Sequence, residues 1–588
     1  MPFDGMVLAA ITRELQNTLI GCRIDKIYQP AREEMHLILS RPGSKFRLLL
    51  SADPSSARVH ITESTAENPP SPPVFCMVMR KHLEGGRISG FAQEGYDRIL
   101  TISVDVRDEL GRPSSRQINC EIMGKHSNII LCDPDTGIIL DGIKRYSHAV
   151  SRHREVLPGR QYIAPPAQKK KIPLSIAEEY FFSLMLENEL EEKLINIVQR
   201  NFDGLSPVMA REIINRAGLD PNTTLNNCGE YDLRSVYLAL IDIYSRAEKG
   251  DFRPTVVFNR KGVREFAAFG LTHLDFLKEK TGGMNEISDI FFTQRSLEDK
   301  AGRIRQSILS VLRKEKGRLE KKLSLQYGDL ESASEAENLK LYGELITANI
   351  HRLKKGETEV FLDNFYKEGC PPEKVVLDPQ LTPAENAQFF FRKYTKAKKT
   401  GEAAAHNIQN TEEELQYISG VETCSELAAK VNELNEIREE LTDQGYIKPT
   451  GVRAVKKRGQ DQPRPSFYIS SQGFNILVGK NNRQNDFLTM KMAREEDIWL
   501  HAREIPGSHV IIKTGGKNVP PQTLEEAASL AALFSRAGQS HKVPVDYTLR
   551  KYVNKPKGAK PGFVIYTDQK TIIAEPDPAL PEKLSQGI

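Results

Sequence analysis

Two histidines flank a tight turn in the stretch DIWLHAREIPGSHVII, residues 497–512, which also holds the single tryptophan of the 588-residue chain. His501 and His509 could ligate a metal, but no carboxylate or thiol completes a recognisable ligand spacing, so we expect no metal site. The Pro-Gly-Ser turn at 506–508 instead predicts that His509 and neighbouring amides face an RNA or protein surface. Trp499 is expected to pack beneath this turn and make a rigid docking platform, with plain core packing as the alternative.

Basic side chains recur on loops and helix faces where they could bind phosphate groups. The stretch KNNR at 480–483 follows a predicted strand, and the lysines of loop 551–562 alternate with prolines and glycines that restrict its backbone. A third group lies on a long predicted helix. Ordinary solvated surface is the alternative for each group. The candidate residues are Lys480, Arg483, Lys551, Lys555, Arg392, Lys393, Lys396 and Lys398.

An acidic and a basic residue stand side by side at Asp97 and Arg98, in a turn before a predicted strand. A guanidinium can bind a phosphate or a base edge while the carboxylate orients it or accepts from a base amine. A chance pairing of surface charges is the simpler explanation. Lys125 and His126 occupy a polar turn between two predicted strands, which an ordinary hairpin loop would also explain.

Sequence motifs for catalysis are absent. No GxxxxGK[ST], GxGxxG, GxSxG or HExxH pattern stands in a supporting context, so we predict a binding protein with no catalytic residues and no cofactor. The seven cysteines form no Cys-x-x-Cys pair, which argues against a disulfide framework and a zinc ribbon. We find no export signal and no apolar run near the roughly 20 residues of a membrane helix, and expect a cytoplasmic protein with no membrane partner.

The elements that must position these groups alternate between β-rich and helical segments. Short alternating runs predict antiparallel hairpins, and residues 202–219 resemble a helix-hairpin-helix unit whose turn could face phosphates. Apolar residues in steps of three and four predict two long helices that form an antiparallel coiled-coil arm with a small β-like tip. The two apolar stripes are Leu297, Ala301, Ile304, Ile308 and Val311, then Leu427, Val431, Leu434, Ile437 and Leu441.

We predict a multi-domain α+β protein, because a chain of this length exceeds one hydrophobic core. The net charge of +4 is small for this mass, so nucleic-acid binding must depend on local basic patches. The lysine-containing stretch 164–173 is interpreted as a linker. The predicted divisions are a β-rich domain at 1–170, a helix-hairpin-helix region at 174–280, the arm with its inserted tip at 285–445, and a second α+β domain at 455–575.

Six motifs, in order along the chain, resemble the NFACT family. They are MPFDG (1–5), FCMVMRKHLEGGRI (75–88), YDR (96–98), EIMGKHSNIIL (121–131), NAQFFFRKYTKAKK (386–399) and DIWLHAREIPGSHVII (497–512). The resemblance spans nearly the whole chain. It implies a β-rich NFACT-N domain, a helix-hairpin-helix unit, a long antiparallel coiled-coil arm and an α+β NFACT-R domain that binds RNA.

The resemblance implies a ribosome-associated quality-control factor. Such a factor binds the large ribosomal subunit, with its 23S rRNA and proteins, while a stalled peptidyl-tRNA still obstructs it. It recruits alanyl-tRNA so that an alanine tail is added to the nascent chain without mRNA. A small RNA-binding cofactor of the same pathway is a further expected partner. Peptide transfer would belong to the ribosome, so the protein would position a tRNA and need no nucleophile of its own.

The resemblance also distributes the candidate residues between two ligands. The Asp-Arg pair binds tRNA in the family, and the basic arm reaches across the ribosomal surface. Expected to bind tRNA are Asp97, Arg98, Lys125 and His126; expected to bind rRNA or the ribosome are Arg392, Lys393, Lys396, Lys398, Lys480, Arg483, His501, His509, Lys551 and Lys555.

Two other functions stay open as alternatives. The first domain also resembles the N-terminal domain of formamidopyrimidine-type DNA glycosylases, whose nucleophile is an N-terminal proline, here Pro2. Against this, Phe3 stands where those enzymes place a catalytic glutamate, and their four-cysteine zinc finger is missing. A fibronectin-binding surface adhesin is the third possibility, but we find no export signal, anchoring segment or disulfide framework for it.

Overall fold

The computed structural model describes residues 3–108, 110–149, 153–166, 168–259, 262–274, 278–448 and 464–585. The chain divides into two compact units, residues 1–298 and 299–588. Pro2, the nucleophile of the glycosylase alternative, lies outside the described residues.

A nine-stranded antiparallel sheet dominates the described part of the first unit. Its strands are β1 (Arg23–Ala31), β2 (Glu34–Arg41), β3 (Ser44–Ser51), β4 (Arg58–Ile61), β5 (Arg87–Gln93), β6 (Ile99–Arg107), β7 (Pro113–Glu121), β8 (Asn128–Cys132) and β9 (Ile139–Gly142). They follow the order β4-β3-β2-β1-β5-β6-β7-β8-β9. Buried and partly exposed residues alternate along most of β6, as in a strand with one face toward the core. The predicted β-rich N-terminal region is confirmed.

Two helices pack against this sheet. Helix α1 (Gly5–Leu19) begins after Asp4, whose carboxylate caps it by accepting the Val7 N–H. Helix α2 (Val74–Leu83) ends just before Gly85, which adopts φ +84°, a conformation that favours glycine. Gly85 therefore lets the chain turn away from the helix axis directly after α2.

Four helices and a small sheet follow in the first unit. The helices are α3 (Glu178–Leu186), α4 (Leu194–Asn201), α5 (Pro207–Arg216) and α6 (Glu230–Lys249). Ser206 caps α5 by accepting the Met209 N–H at 3.3 Å. The sheet contains β10 (Thr255–Asn259), β11 (Gly262–Ala267) and β12 (Lys278–Thr281), which the sequence patterns did not predict.

Two long helices lie antiparallel to each other: α7 (Met284–Ser334), which continues into the second unit, and α9 (Pro383–Leu427). Arg305 of α7 donates to the carbonyls of Ser425 and Ala428, and Tyr327 OH donates to Glu412 at 2.7 Å. Between the two helices come α8 (Ala336–Ala348) and the hairpin of β13 (Glu359–Asp363) and β14 (Pro372–Val376). The small β-like insertion is confirmed.

The predicted apolar stripes are partly wrong. Leu297 is 53% exposed, and the stripe over 427–441 does not continue a long helix, because α9 ends at Leu427 and a separate helix, α10 (Val431–Asp443), begins after it. Period alone cannot detect this break, since both helices contribute apolar residues to one cluster. Its buried residues on the long helices are Ala301, Ile308, Leu309, Leu312, Leu319, Tyr417, Ile418, Val421 and Cys424.

A second α+β domain occupies the described residues from 464 onward. Its strands are β15 (Ser466–Ile469), β16 (Asn475–Val478), β17 (Ile498–Ala502), β18 (Val510–Lys513), β19 (Val543–Leu549), β20 (Val553–Asn554), β21 (Ile565–Tyr566) and β22 (Lys570–Ala574). Six of them form a sheet in the order β15-β16-β18-β17-β19-β22. The helices are α11 (Asn482–Phe487), α12 (Pro521–Leu533) and α13 (Leu580–Ser585). Helix α12 packs its alanine-rich face on the sheet.

Candidate nucleic-acid interfaces

Three backbone segments meet where β6 begins: the start of α1, the turn before β6, and the turn between α4 and α5. Met6 N–H donates to Gly204 O at 3.2 Å, and Ser206 N–H donates to the Asp4 carboxylate at 3.0 Å. Burial raises the pKa of Asp4, while the hydrogen bonds that its carboxylate accepts from Ser206 and Val7 oppose the shift. The α4–α5 turn is therefore held directly against the N-terminus.

Asp97 and Arg98 are half-buried at this crossing, the place where the three segments meet. Gln93 Nε2 donates to the carbonyls of both Gly5 (3.0 Å) and Asp97 (2.8 Å), which fixes the turn. The Asp97 carboxylate accepts the Arg98 N–H at 2.7 Å, and Arg98 O accepts the Ile122 N–H at 2.8 Å. Within the described residues, the Arg98 guanidinium forms no ion pair with any carboxylate. It remains available to a ligand.

A cavity of about 100 Å³ opens beside the Asp-Arg pair. Lys170 lines it and donates to Gln199 O at 3.0 Å, and burial lowers the pKa of this lysine. Burial raises the pKa of Asp203, and the nearby charge of Asp97 adds to the shift. Two cations and several carboxylates thus surround one small space, which suits a base edge with both donors and acceptors. The linker interpretation of 164–173 missed Lys170.

Lys125 and His126 lie at the same end of the sheet as Asp97 and Arg98. Both are exposed on a short 3-10 turn between β7 and β8. The Ile122 N–H at the start of this segment donates to Arg98 O, which brings the two turns side by side. The structure therefore groups the four predicted tRNA contacts on one edge.

We expect Gly5→Ala to disrupt this crossing. An added Cβ would lie 1.8 Å from Tyr96 O and 2.7 Å from Gly204 Cα, so the backbone would have to move. Overpacking of this kind costs about 2–3 kcal/mol of unfolding free energy, and displaced turns should also weaken the tRNA binding predicted for Asp97 and Arg98. Urea unfolding and tRNA recovery measure the two effects. The matched control is Gly302→Ala, whose added methyl meets open space on α7; equal behaviour of both variants would contradict the expectation.

The four predicted arm residues are exposed on α9. Lys393 Nζ lies 4.3 Å from the Phe389 ring centroid, and Arg392 Nε donates to Gln388 O at 3.4 Å. In the part of the chain that the structure describes, neither these two nor Lys396 and Lys398 form an ion pair. Their charges are free to meet phosphates.

Lys480 and Arg483 already form ion pairs, although the sequence predicts that both are available to bind rRNA. Lys480 Nζ lies 3.3 Å from Glu433, and Arg483 pairs with Glu439 at 3.3 Å and with Asp443. All three carboxylates lie on α10. Lys480 follows the end of β16, as predicted, but nothing in the sequence indicated that an acidic helix faces it.

Lys551 and Lys555 behave differently from each other. Lys551 is exposed and its Nζ lies 4.8 Å from the Tyr552 ring centroid. Lys555 is ion-paired with Asp486. Lys551 therefore remains the more accessible cation of this loop.

The prediction that His509 faces an RNA surface is wrong, because its side chain is buried at 2% exposure. The ring Nδ1 of His509 lies 2.8 Å from Thr489 Oγ1, and the backbone N–H of His509 donates to Asn485 Oδ1. Its ring packs edge-on against Trp499, 5.2 Å between centroids, while His501 stacks on the same indole at 5.7 Å. Both histidines serve the packing of the only tryptophan, which is fully buried.

The Pro-Gly-Ser turn packs elsewhere than predicted. The aromatic partners of Trp499 are the two histidine rings and Tyr566, whereas the turn pairs with the segment after α12. Ser508 N–H donates to Phe534 O at 3.0 Å, and a Cβ at Gly507 would lie 2.9 Å from Ser535 Cβ. Glycine is needed at this turn because of the close approach.

We expect the C-terminal domain to lose stability as the pH falls from about 6.5 toward 4. Burial lowers the pKa of His501 to about 4 from its ordinary value of 6.5, and lowers that of His509 as well. Above 6.5 both histidines are neutral folded or unfolded, whereas below it only the unfolded chain binds the protons. His501 alone then costs about 3 kcal/mol by pH 4. Unfolding followed by Trp499 fluorescence at several pH values measures this loss of stability. The His501→Gln variant should lose most of the pH dependence, and an unchanged pH dependence in that variant would contradict the prediction.

No group of three or more histidine, cysteine, aspartate or glutamate side chains within the described residues could hold a metal ion. No described helix is long and apolar enough to cross a membrane.

The chain matches two adjoining family descriptions. Residues 4–460 match the NFACT N-terminal and middle domains, and residues 464–568 match the NFACT protein RNA binding domain. The fold and these two matches define a multi-domain protein with a C-terminal RNA-binding domain. The chain belongs to the NFACT family.

Within that family the chain is a homologue of the RqcH and Rqc2 proteins. It is 38% identical over 580 residues to the Rqc2 homolog RqcH of Bacillus subtilis, covering 98% of both chains. It is 32% identical over 101 residues to ribosome quality control complex subunit 2 of Saccharomyces cerevisiae, covering 17% of this chain and 9% of the relative. The solved N-terminal part of the fibronectin/fibrinogen-binding protein from Streptococcus suis is 30% identical, covers 50% of this chain and 99% of that one, and gives a TM-score of 0.41.

Proposed function

We propose that this protein is a ribosome quality-control factor. It binds the large ribosomal subunit obstructed by a stalled peptidyl-tRNA, and recruits alanyl-tRNA so that the nascent chain receives an alanine tail without mRNA. The observation that carries the proposal is the end-to-end similarity to RqcH, 98% of both chains. The RNA-binding domain at 464–568 supports it.

The tRNA site is the edge formed by Asp97, Arg98, Lys125 and His126, with Lys170 in the adjacent cavity. The free guanidinium and the half-buried carboxylate offer one donor group and one acceptor group within a rigid turn. Rigid turns bind an RNA base with little loss of conformational freedom. Contacts of this kind hold a tRNA in place and leave peptide transfer to the ribosome.

The long helices serve as the ribosome-binding arm in this proposal. We propose that α7 and α9 form a coiled coil, that α4 and α5 form a helix-hairpin-helix unit, and that the domains divide at 1–170, 174–280, 285–445 and 455–575. The unpaired cations Arg392, Lys393, Lys396 and Lys398 would contact rRNA, and the exposed Lys551 would add a contact from the last domain. Phosphate contacts by lysine and arginine bind without reading sequence, which suits a structured rRNA surface.

No observation favours the glycosylase alternative. Phe3, at the position of the catalytic glutamate of those enzymes, is fully buried in the hydrophobic core. The proposed factor is also expected in the cytoplasm, on ribosomes, with a small RNA-binding cofactor of the same pathway.

Affinity purification of the tagged protein from cells, followed by RNA sequencing and proteomics, tests the proposal. We expect 23S rRNA, large-subunit proteins and one dominant tRNA, that for alanine. Equal recovery of both ribosomal subunits would contradict large-subunit binding. Recovery of another tRNA would keep the ribosomal role and overturn the alanine assignment.

A further inference from the structure

Helix α10 presents a row of carboxylates to residues 480–484, which end the β16–α11 loop and form the first turn of α11 and are called the donor segment below. Asn481 Nδ2 and Gln484 Nε2 both donate to Glu436, at 2.7 and 2.9 Å. Asn482 Nδ2 donates to Glu440 at 3.1 Å. With the pairs of Lys480 to Glu433 and of Arg483 to Glu439 and Asp443, every polar side chain from 480 to 484 has a contact on this one helix.

In these contacts the side chains of the donor segment donate and the side chains of α10 accept. Ammonium, guanidinium and amide N–H groups are also the groups that proteins use to bind phosphate oxygens. Carboxylate and phosphate accept hydrogen bonds from arginine in the same paired geometry. The acceptors on α10 recur every three or four residues, about 4.5–6 Å along the helix, so they form a line of negative charge. Such a line imitates a nucleic-acid strand.

The helix and the loop belong to different parts of the family. Helix α10 lies in the N-terminal and middle match, which ends at 460, whereas the donor segment lies in the RNA-binding domain, which begins at 464. The contact therefore joins an acidic element of one module to the donor surface of another.

We propose that α10 masks an RNA-binding surface of the C-terminal domain, composed of Lys480, Asn481, Arg483 and Gln484 around the fixed contact of Asn482 with Glu440. The occupant that competes with the helix is a single-stranded stretch of RNA, bound through its phosphates. This inference rests on the proposed function, since it assigns the surface by which the RNA-binding domain meets RNA and the element that limits its access.

The contact contains an outer part that a polyanion can displace. The side chains of Glu439 and Asp443 are 61% and 65% exposed, and ion pairs this exposed contribute little and weaken with salt. RNA gains in addition from the release of its counterions, which the helix does not supply. The inner part is different: Glu440 is buried and also accepts the Tyr417 OH at 2.8 Å. The contacts of Glu440 hold α10 in place while RNA phosphates replace Glu439 and Asp443 as partners of Arg483.

The test variant removes negative charge from α10 and leaves the size of its side chains nearly unchanged. We expect the triple variant Glu436→Gln, Glu439→Gln, Asp443→Asn, in the full chain, to bind a fluorescein-labelled oligouridylate about three- to tenfold more tightly at low salt. The slope of log affinity against log salt should steepen by about 0.7, because the freed Arg483 neutralises one further phosphate of the single strand while Lys480 stays paired with Glu433. Adding Lys480→Ala and Arg483→Ala to the triple variant should abolish the gain.

The control loses the same charge elsewhere on exposed parts of α9, as Glu402→Gln, Glu413→Gln, Glu426→Gln. An equal gain in the control would show that only net charge matters, and would overturn the mask. No gain in the triple variant, with its Trp499 emission unchanged, would overturn it too. A loss of native Trp499 emission would mean that α10 is a structural support, which also refutes the proposal. None of these outcomes depends on ribosomes, so failure of the mask is distinguishable from failure of the proposed function.

Discussion

Asp97→Ala combined with Arg98→Ala is expected to remove tRNA from the purified protein while the large ribosomal subunit remains bound. The Arg98 guanidinium is unpaired among the described residues, and each good contact to a base edge contributes about 1–3 kcal/mol. Loss of both side chains should therefore lower tRNA recovery by about ten- to a hundredfold. Sequencing of co-purified RNA, normalised to 23S rRNA, measures it.

The matched control changes an acidic and a basic residue on the far end of the same strand, Asp105→Ala with Arg107→Ala, both exposed. This variant should keep its tRNA. Unchanged tRNA in the Asp97 and Arg98 variant would refute the site, and parallel loss of tRNA and 23S rRNA would indicate that the turn serves ribosome binding instead. Lys170→Ala should give an intermediate loss, because its side chain lines the cavity without forming the Asp-Arg turn.

Charge reversal on the arm is expected to release the protein from the large subunit. Changing Arg392, Lys393, Lys396 and Lys398 to glutamate replaces four unpaired cations by anions, and four lost phosphate contacts correspond to a salt slope of about 3–4. Association near physiological salt should then fall by about two orders of magnitude. Co-sedimentation with large subunits through sucrose measures the fraction bound.

The effect of reversal must be separated from the change in net charge. Four exposed cations outside the arm supply the control: Lys26, Arg32, Lys45 and Lys249, each changed to glutamate. Normal co-sedimentation of this control with loss in the arm variant is the expected pair of results. If the arm variant still sediments with the subunit at moderate salt, α9 is not the ribosome-binding element.

Local patterns predicted the elements well where one residue type settles the geometry. The hairpin between the long helices was predicted from turn chemistry that acts over a few residues, and the end of α2 before Gly85 and the cap of α5 at Ser206 have the same local origin. The apolar stripe over 427–441 was assigned to one long helix because such a pattern describes only a few residues at a time. Its apolar period continues across a break that only the backbone course between α9 and α10 reveals.

The candidate sites divide in a similar way. Asp97, Arg98 and the exposed cations of α9 could be found because adjacent charges and basic runs are visible in the chain itself. Lys170 and Asp203 could not, since each reaches the cavity from a segment about 70 or more residues from the Asp-Arg turn in sequence and carries no motif. His509 was misjudged because a polar residue beside a turn is usually exposed, whereas here the packing of Trp499 encloses it.

The sequence by itself determined the family, the order of the domains and the surface cations of the arm, because each is written in local composition or in motifs that stay together along the chain. Only the tertiary structure decided which charges are already neutralised. Lys480, Arg483 and Lys555 look like free RNA contacts in the sequence, yet each meets a carboxylate in the folded chain. Pairing and burial depend on which distant segments fold against each other, and they change the binding capacity of a charge without changing its position in the sequence.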